Sequence, residues 1–306
     1  MTERTGFVSG FVSILGRPNT GKSTLLNALV GSKLAIVADK PQTTRTTIQG
    51  VLTKPNAQIV FVDTPGIHKA DSLYNKRMMD TVRAALDERD LLLFLVDAAR
   101  RPNTEDRQAV DVLRHTESPV LLVLNKIDRF RDKRNLLPLI EDYKALHPFA
   151  DYLPVSALTG EGLDTLRDAI IARLPEGPQY FPPDHITDQP ERFLVAELIR
   201  EKILHETRQE VPHSVAVWID SWEETPQITR IYATIHVERE GQKAIIIGAQ
   251  GSMLKRIGTL ARQEIEALLG RKVFLGLHVK VQPEWRENPG FLKALDWRTM
   301  TGGDDS

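Results

Sequence analysis

The sequence predicts an α/β protein in which a doubly wound, mostly parallel sheet of the P-loop NTPase type is followed by a smaller α+β domain. Three observations lead to this prediction. Short apolar runs without polar alternation recur through the first 155 residues, as in the strands of a buried parallel sheet. A glycine-rich segment directly follows the first run. Beyond residue 190 the apolar residues recur with the periods of an amphipathic helix and of half-buried strands.

Length and composition narrow the class of protein further. A chain of 306 residues exceeds the size at which one hydrophobic core usually suffices, so two domains are expected. With 40 Lys and Arg against 41 Asp and Glu, the net charge is −1, and a nucleic-acid partner would need a local basic patch. The absence of cysteine excludes disulfides and thiolate metal sites and indicates a cytoplasmic protein. The first apolar run is too short for a signal peptide or a membrane span, so a soluble protein is expected.

Five apolar runs are the predicted strands of the first domain, and each ends at a polar or glycine residue. The runs are FVSIL before Gly16, QIVFV before Asp63, LLLFLV before Asp97, VLLVL before Asn125 and YLPV before Ser156. The carboxyl ends of parallel strands meet at one edge of the sheet, where α/β proteins bind their ligands. The residues that follow these runs are therefore the candidate functional residues.

The first strand is followed by GRPNTGKST, residues 16–24, whose spacing is that of a loop wrapped around nucleotide phosphates. Its glycines allow a tight turn that aims backbone N–H groups at phosphate oxygens, Lys22 reaches the outer phosphates, and Ser23 can ligate Mg²⁺. A chance glycine turn is disfavoured, because helix-like sequence follows the segment at once. The predicted nucleotide-binding residues are Gly16, Arg17, Pro18, Asn19, Thr20, Gly21, Lys22, Ser23 and Thr24.

The second strand ends in DTPG, residues 63–66, on the γ-phosphate side of the predicted site. Asp63 can hold Mg²⁺ through water, and the N–H of Gly66 can contact the γ-phosphate while it is present. The polar segment at residues 40–50 should complete the Mg²⁺ shell with a threonine, for which Thr44 is favoured and Thr43 competes. The predicted metal ligands are Ser23, Thr44 and Asp63. The predicted catalytic residues are Lys22, Thr44 and Gly66. Thr64 and Pro65 are predicted to bind the nucleotide.

NKID, residues 125–128, indicates which base is bound. An aspartate at this strand end can accept hydrogen bonds from the ring N–H and the exocyclic amine of guanine, an arrangement that adenine does not offer, and Asp128 is the candidate. Asn125 can tie the base to the phosphate loop, and the stem of Lys126 can pack over the base. After the next strand, Ser156 and Ala157 are predicted to supply a backbone N–H to guanine O6.

A change of composition after Leu174 predicts the boundary between two domains. The stretch PEGPQYFPPDHITDQP contains five of the 18 prolines, which is too dense for a helix or a central strand. The predicted organisation is a nucleotide-binding domain at residues 1–175, a linker at 176–191, a second domain at 192–300 and a disordered tail at 301–306.

The second domain is predicted to have the element order α-β-β-α-α-β. Its first helix has one apolar face, and its second strand has one apolar side. The residues of these two surfaces are Val195, Leu198, Ile199 and Ile203 on the helix, and Ile231, Ala233, Ile235 and Val237 on the strand. A glycine pair separates the last two helices.

That glycine pair belongs to GAQG, residues 248–251, a Gly-x-x-Gly loop of the kind that lets a protein backbone approach a nucleic-acid backbone. Such a loop alone is more often a plain helix–helix turn. Residues 254–281, however, contain six Lys or Arg and two Glu, a local net charge of +4. The loop interior has no basic residue, so phosphate attraction falls to its flank and a reduced affinity is expected. The predicted RNA-binding residues are Gly248, Ala249, Gln250, Gly251, Lys255 and Arg256.

In the order and spacing of GRPNTGKSTLLNAL, PQTTR, DTPGIHK, NKID and SA, the chain resembles the translation-factor-related GTPases and, within them, the Era family. The resemblance runs from about residue 7 through the final strand. It implies a Ras-like G domain followed by a type II KH domain. It further implies slow hydrolysis of GTP to GDP with Mg²⁺, binding of single-stranded RNA near the 3′ end of small-subunit ribosomal RNA, and a monomer that assists 30S subunit assembly.

Two positions bear on the rate of hydrolysis that the resemblance implies. Ile67 stands where Ras-like enzymes have a water-orienting glutamine. Asn19 matches an asparagine that ligates K⁺ near the phosphates in relatives, so potassium-assisted hydrolysis is expected.

Two other functions stay open at the level of sequence. A GTP switch whose second domain binds a protein or a membrane surface fits the balanced charge, and it would act as a peripheral protein at the inner face of the cell membrane. A metabolic P-loop kinase is disfavoured by NKID and DTPG. Trp285 and Trp297 are expected to be packing residues rather than base-stacking platforms.

Overall fold

The computed structural model describes residues 6–40, 43–67, 72–87, 89–207, 211–295 and 297; the predicted tail at 301–306 lies outside this range. The chain forms two compact units. The second unit comprises the chain from Gln189 onward together with two segments of the first half, Ile36–Lys40 and Ser72–Tyr74, and the remainder forms the first unit.

The first unit is built on a six-stranded sheet with the strand order β2-β3-β1-β4-β5-β6. Its strands are β1 (Val8–Gly16), β2 (Ile48–Lys54), β3 (Ala57–Asp63), β4 (Leu91–Asp97), β5 (Val120–Asn125) and β6 (Asp151–Pro154). All neighbours are parallel except β2 and β3. The predicted mostly parallel sheet is confirmed. Strand β2 was not predicted, because its sequence, half-buried on the sheet edge, lacks the continuous apolar run of the inner strands.

Helices cover both faces of this sheet, which explains why its inner strands show no polar alternation. The helices are α1 (Lys22–Val30), α2 (Leu73–Ala84), α3 (Thr104–Asp111), α4 (Leu137–Lys144) and α5 (Leu163–Ile171). Successive residues of β4 enter opposite apolar clusters: Leu93 packs with Leu25 and Leu166, and Phe94 packs with Val82 and Phe149. The doubly wound arrangement is therefore confirmed.

The proline-rich segment before the second unit is hydrogen-bonded to the first unit along the β2–β3 side. The buried side chain of Gln58 accepts from the backbone N–H groups of Tyr180 and Phe181 and donates to the Phe181 carbonyl. Val51 N donates to the Ile186 carbonyl at 2.8 Å. Because proline has no backbone N–H, this segment has few donors for a regular hydrogen-bond ladder. Gln58 instead pairs with two of its N–H groups and one of its carbonyls.

The second unit contains a three-stranded sheet with the order β7-β8-β9, in which β7 and β8 are antiparallel and β8 and β9 are parallel. Its elements are α6 (Glu191–Glu206), α7 (Val211–Ser214), β7 (Ala216–Glu224), β8 (Thr229–Val237), α8 (Glu240–Ile247), α9 (Ser252–Leu269), β9 (Val273–Val281) and α10 (Pro289–Ala294). The predicted order α-β-β-α-α-β is confirmed, with the two short helices α7 and α10 in addition.

One apolar core joins the predicted faces of this unit. All four predicted residues of α6 and all four of β8 are buried in it, and Ile36, from the first half of the chain, is buried with them. Trp285 is fully buried and donates through its indole N–H to the Ser214 carbonyl at 2.9 Å, so its predicted packing role is confirmed. Across the described part of the chain, no helix combines the length and apolar character needed to cross a membrane.

Candidate nucleotide and nucleic-acid sites

The loop after β1 depends on two glycines with positive φ. Gly16 has φ +147° and Gly21 has φ +95°. A Cβ at Gly16 would lie 2.3 Å from the Leu95 carbonyl oxygen, and one at Gly21 would lie 2.4 Å from Asn125 Nδ2. Both positions therefore require glycine. Helix α1 begins immediately after the loop, at Lys22, so its first backbone N–H groups are available to an anion.

Three side-chain oxygens from distant parts of the sequence meet beside this loop. Ser23 Oγ lies 2.8 Å from Asp63 Oδ2 and 2.7 Å from Thr44 Oγ1, and Thr44 Oγ1 lies 3.3 Å from the same carboxylate oxygen. Asp63 Oδ1 is buried and has no hydrogen-bond partner among the described residues. Hard oxygen ligands around a carboxylate with one unsatisfied oxygen suit Mg²⁺. The structure thus brings together the three predicted metal ligands, with the favoured Thr44 in the cluster.

Burial shifts the pKa values of two charged groups here. It raises the pKa of Asp63 to about 6, against the opposing effects of the Lys22 ammonium and of hydrogen bonds from Ser23 and Thr44. It lowers the pKa of Lys22 to about 8, which Asp63 partly offsets. Lys22 Nζ donates to the Arg17 carbonyl at 3.0 Å. Both groups are costly to bury in charged form, so a phosphate beside Lys22 and a cation beside Asp63 would relieve that cost.

The DTPG turn is held against the phosphate loop by backbone contacts. Ile67 N donates to the Gly16 carbonyl at 3.0 Å, and a Cβ at Gly66 would lie 2.8 Å from Pro18 N. The hydroxyl of Thr64 is buried and donates to the Ile14 carbonyl at 2.9 Å, so this side chain has a structural role. The side chain of Ile67 is buried in the apolar cluster of Phe94 and Val82. It therefore cannot orient a water molecule by hydrogen bonding.

Asn125 connects the end of β5 with the phosphate loop, as the sequence suggested. Its Nδ2 donates to the Thr20 carbonyl at 2.8 Å, and its Oδ1 accepts from Ala157 N at 2.9 Å. Lys126 has φ +70°, and its Nζ donates to the Asn19 carbonyl at 2.7 Å and to Asp97 at 2.9 Å. Both contacts hold the Lys126 ammonium, so its aliphatic stem runs from the end of β5 to the phosphate loop.

The exposed carboxylate of Asp128 accepts a hydrogen bond from Ser156 Oγ at 2.6 Å, which orients it. The backbone N–H groups of Ser156 and Ala157 already donate to Glu161 and Asn125. The backbone N–H of Leu158 has no acceptor in the described part of the chain. The sequence did not predict this unbonded amide, because whether an amide is bonded depends on contacts made across the fold.

The guanidinium of Arg17 points away from the loop interior. It pairs with Glu105 and, at 2.9 Å, with Asp106 at the start of α3, where Asn103 caps the helix. A nucleotide contact of Arg17 would therefore involve its backbone. Of the remaining predicted residues, Asn19 is exposed with φ +64°, Thr24 lies partly buried in α1, and Pro65 accepts from the Thr64 hydroxyl at 3.2 Å through its carbonyl.

In the second unit, the Gly-x-x-Gly loop has the backbone geometry that its sequence suggested. Gly248 and Gly251 have φ +70° and +77°, and Gln250 between them has φ +51°. A Cβ at Gly248 would lie 2.7 Å from the Met253 Cβ, whereas a Cβ at Gly251 would project into open space. The loop therefore exposes backbone without covering side chains, and α9 starts directly after it.

A groove of about 400 Å³ runs from this loop between α9 and β9. It is lined by Gly251, Leu254, Lys255, Gly258, Thr259, Arg262, Leu275 and Leu277. The floor is apolar and the α9 rim is cationic, which suits bases on one side and phosphates on the other. Of the two predicted phosphate contacts, Lys255 is exposed at this groove, whereas Arg256 pairs with Glu206 at 2.7 Å.

Comparisons with known proteins cover both units of the chain. A family model described as "50S ribosome-binding GTPase" matches residues 11–126, and a KH domain model matches residues 210–286. GTPase Era of Geotalea uraniireducens is 53% identical over 298 residues, which cover 97% of this chain and 100% of that protein. GTPase Era of Geobacter sp. strain M21 is 54% identical over 292 residues, covering 95% of this chain and 98% of that protein.

A solved structure of Era in complex with MgGDPNP and nucleotides 1506–1542 of 16S ribosomal RNA superposes with a TM-score of 0.92. It is 43% identical, and the match covers 95% of this chain and 99% of that one. Fold and sequence therefore agree over nearly the whole length of both proteins.

Proposed function

Because the chain belongs to the Era family of GTPases, we propose that it is a GTP-hydrolysing switch that binds the 3′ region of small-subunit ribosomal RNA and assists assembly of the 30S subunit. The observation that carries the nucleotide half of this proposal is the convergence of Ser23, Thr44 and Asp63 beside the glycine loop. The relative solved with MgGDPNP and 16S ribosomal RNA supports both halves.

In this proposal, the glycine loop and the start of α1 hold the phosphates. The backbone of residues 16–24 donates to phosphate oxygens, and Lys22 turns its ammonium from the Arg17 carbonyl to the outer phosphates. Ser23, Thr44 and Asp63 would hold Mg²⁺, which supplies charge neutralisation to the phosphates when bound. Gly66 N–H contacts the γ-phosphate, so the segments that carry Thr44 and Gly66 sense whether that phosphate is present.

The base is held by the ends of β5 and β6. Asp128, oriented by Ser156, accepts from the guanine ring N–H and amine with its remaining capacity. Asn125 ties this site to the loop, and the stem of Lys126 packs over the base. Because the Ser156 and Ala157 amides are engaged within the protein, the Leu158 N–H is the contact that we assign to guanine O6.

Hydrolysis is slow in this proposal, since Ile67 provides no hydrogen bond to a water molecule. Asn19, exposed at the bend of the loop, is the ligand that we assign to a potassium ion near the phosphates. Replacement of K⁺ by Na⁺ should lower the rate of phosphate release at saturating GTP. An unchanged rate in Na⁺ would remove K⁺ from the proposal.

The nucleotide half is tested by competition binding and phosphate release. Ser23→Ala and Lys22→Ala should remain folded, bind Mg·GTP weakly and hydrolyse it slowly, since each removes a contact to metal or phosphate. Thr165→Ala, which removes an exposed hydroxyl from α5, is the matched control and should behave as the wild type. Wild-type hydrolysis by a folded Ser23→Ala protein would overturn the metal assignment.

The RNA half is tested with the RNA of nucleotides 1506–1542 that the relative binds. Its affinity for the full chain should fall as salt rises, because Lys255 and its neighbours displace counterions from phosphates. Lys255→Ala should weaken binding and reduce the salt slope by about 0.7 for each phosphate that is no longer neutralised, as expected for single strands. Lys54→Ala, on the first unit, is the matched charge control.

The proposal takes the protein to be a cytoplasmic monomer, which sedimentation and cell fractionation would check. The competing function is a GTP switch whose second domain binds a protein or the inner face of the membrane. If the wild-type chain does not bind the RNA but co-sediments with anionic vesicles, that alternative is favoured.

A further inference from the structure

The face of the β7-β8-β9 sheet opposite the core has two exposed aromatic rings. On β8, Tyr232 alternates with the buried Ile231 and Ala233, and its side chain is 43% exposed. On β9, Phe274 is 45% exposed. The two ring centroids lie 5.6 Å apart, with an interplanar angle of 55°. Large exposed rings in contact on a sheet are costly in water, so they call for an explanation.

The ring of Tyr232 lies flat on the sheet because β9 has a glycine beside it. Tyr232 and Gly276 are register partners, and a Cβ at Gly276 would lie 2.6 Å from Tyr232 Cδ1. One face of the ring therefore covers the glycine, and its other face is open to solvent. This is the arrangement of a stacking platform, in which aromatic side chains on a sheet receive unpaired bases.

The charges on this face differ between the β7 side and the β8–β9 side of the sheet. Arg230 on β8 and Lys280 on β9 are exposed and form no ion pair with any residue that the structure describes. On β7 the exposed acidic residues are Asp220, Glu223 and Glu224; Glu223 is the register partner of Arg230, and Glu224 pairs with Arg271. A polyanion would therefore be attracted to the β8–β9 half of the face, where the two rings lie, and repelled from β7.

The rings are also continuous with the groove that the RNA proposal uses. Leu275 and Leu277 line that groove, while Phe274 and Gly276 alternate with them on the same strand and face the other side. Strand β9 pairs only with β8 in the described sheet, so it is an edge that a nucleic-acid strand can cross.

We propose that this platform, defined as Tyr232, Phe274, Arg230 and Lys280, is a second contact for single-stranded RNA, and that bases leaving the groove stack on its two rings. The inference rests on the proposed RNA binding and extends it from the groove to the opposite sheet face. A protein partner is less favoured, because the apolar part of the platform consists of only two rings.

The test is titration of the full chain with the RNA of nucleotides 1506–1542 of 16S ribosomal RNA. Tyr232→Leu combined with Phe274→Leu retains apolar cover over Gly276 but removes both π-faces. Loss of stacking should weaken binding about five- to hundredfold for each base displaced. Tyr232→Phe keeps the ring and should bind as the wild type does. Irradiation of the wild-type complex should crosslink RNA to the peptides that contain Tyr232 and Phe274.

The controls separate the platform from the groove and from folding. Thermal unfolding of the double Leu variant should match that of the wild type, and GTP hydrolysis without RNA should be unchanged. If the wild type binds this RNA and the double Leu variant binds it equally, with no crosslink to either peptide, the platform is overturned and the groove proposal stands. If the wild type does not bind the RNA, the groove proposal fails with it.

Discussion

Asp63 and Lys22 form a buried pair of charges whose energy depends on what is bound beside them. Burial raises the pKa of Asp63 to about 6. A carboxyl group with a raised pKa holds its proton more tightly in the folded chain than in the unfolded one. The nucleotide-free protein therefore loses stability as the pH rises from the ordinary value of 3.8 towards 6. A metal ion binds the ionised carboxylate and competes with the proton, so its binding is favoured as the pH rises through the pKa of Asp63.

The first prediction concerns this competition. The gain in GDP affinity that Mg²⁺ provides should fall about tenfold between pH 7 and pH 5, because most Asp63 carboxyls are protonated one unit below their pKa. The gain is measured as the ratio of dissociation constants with Mg²⁺ and with EDTA across this range. Because free GDP also binds Mg²⁺, its Mg²⁺ affinity is measured in the same buffers and used to correct this ratio. A corrected ratio that is constant with pH would show that Asp63 is not the titrating ligand.

The second prediction concerns base recognition by Asp128. Asp128→Asn should turn a double acceptor into a mixed donor and acceptor, and the preference should move from GTP towards XTP, which offers an acceptor where guanine has its amine. Competition binding with GTP, XTP and ATP measures the change. Asp168→Asn, on the exposed face of α5, is the matched control and should retain GTP preference. Unchanged GTP affinity of Asp128→Asn without any gain for XTP would contradict the assignment.

At the scale of elements, the backbone conformation of the Gly-x-x-Gly loop decides which substitution separates an effect of charge from an effect of strain. Gly251 has φ +77°, so any side chain there is strained, even though its Cβ would meet no atom. A loss of RNA binding by Gly251→Asp would therefore combine strain with charge. Ala249 is exposed in the same loop and does not have a positive φ, so it isolates the effect of charge.

The third prediction follows from this difference. Ala249→Asp should weaken binding of the RNA of nucleotides 1506–1542 about tenfold or more, because it adds a negative charge where the loop backbone approaches phosphate. Gln227→Asp adds the same charge at the exposed β7–β8 turn, at the opposite end of β8 from the loop, and should have little effect. Filter binding at one fixed salt concentration compares the two. Equal affinities would favour a loop that only joins two helices.

Helix α6 also differs from a simple amphipathic helix. Beyond its predicted apolar face, Arg200, Glu201 and Lys202 are buried. Glu201 accepts from Val37 N at 2.8 Å, and Lys202 pairs with Glu201 at 2.9 Å and with Glu264 of α9. Buried charges are tolerated when they are paired and hydrogen-bonded. These residues look like a solvated face in the sequence; in the second unit Glu201 contacts the Ile36–Lys40 segment, and Lys202 contacts α9.

At the scale of the whole molecule, the second unit is not a contiguous segment of the chain. Ile36 is 2% exposed in its core, and the ring of Tyr74 packs edge-on against Trp285 with centroids 5.6 Å apart. A fragment that begins at Gln189 therefore lacks part of the core of its own unit.

The fourth prediction is that such a fragment is less stable than the same unit in the full chain. Loss of Ile36 alone should cost about 2–5 kcal/mol, as for other large-to-small changes in a core. All four tryptophans, Trp218, Trp222, Trp285 and Trp297, lie in the second unit, so urea unfolding followed by tryptophan fluorescence reports on it in both proteins. In the full chain, Ile36→Ala should lower the urea midpoint. Val37→Ala should not, because the Val37 side chain is 36% exposed. Equal midpoints for fragment and full chain would contradict this account.

The sequence by itself determined the features that depend on local spacing. Continuous apolar runs marked the strands with two covered faces, and polar residues at their ends marked the edge where Asp63 meets Ser23 and Asn125 meets the phosphate loop. Glycines marked the turns with positive φ. Each of these signals is contained within about ten residues, because backbone conformation and strand burial impose a period or a residue type directly on the chain.

Only the tertiary structure decided the contacts between residues distant in sequence. It engages the Ala157 amide with Asn125, leaves the Leu158 amide without an acceptor among the described residues, and turns the Arg17 guanidinium to α3. It also buries Ile36 in the second unit. Such contacts depend on how separate elements pack, and neither a period nor a motif encodes which donor, charge or apolar side chain a remote element will cover.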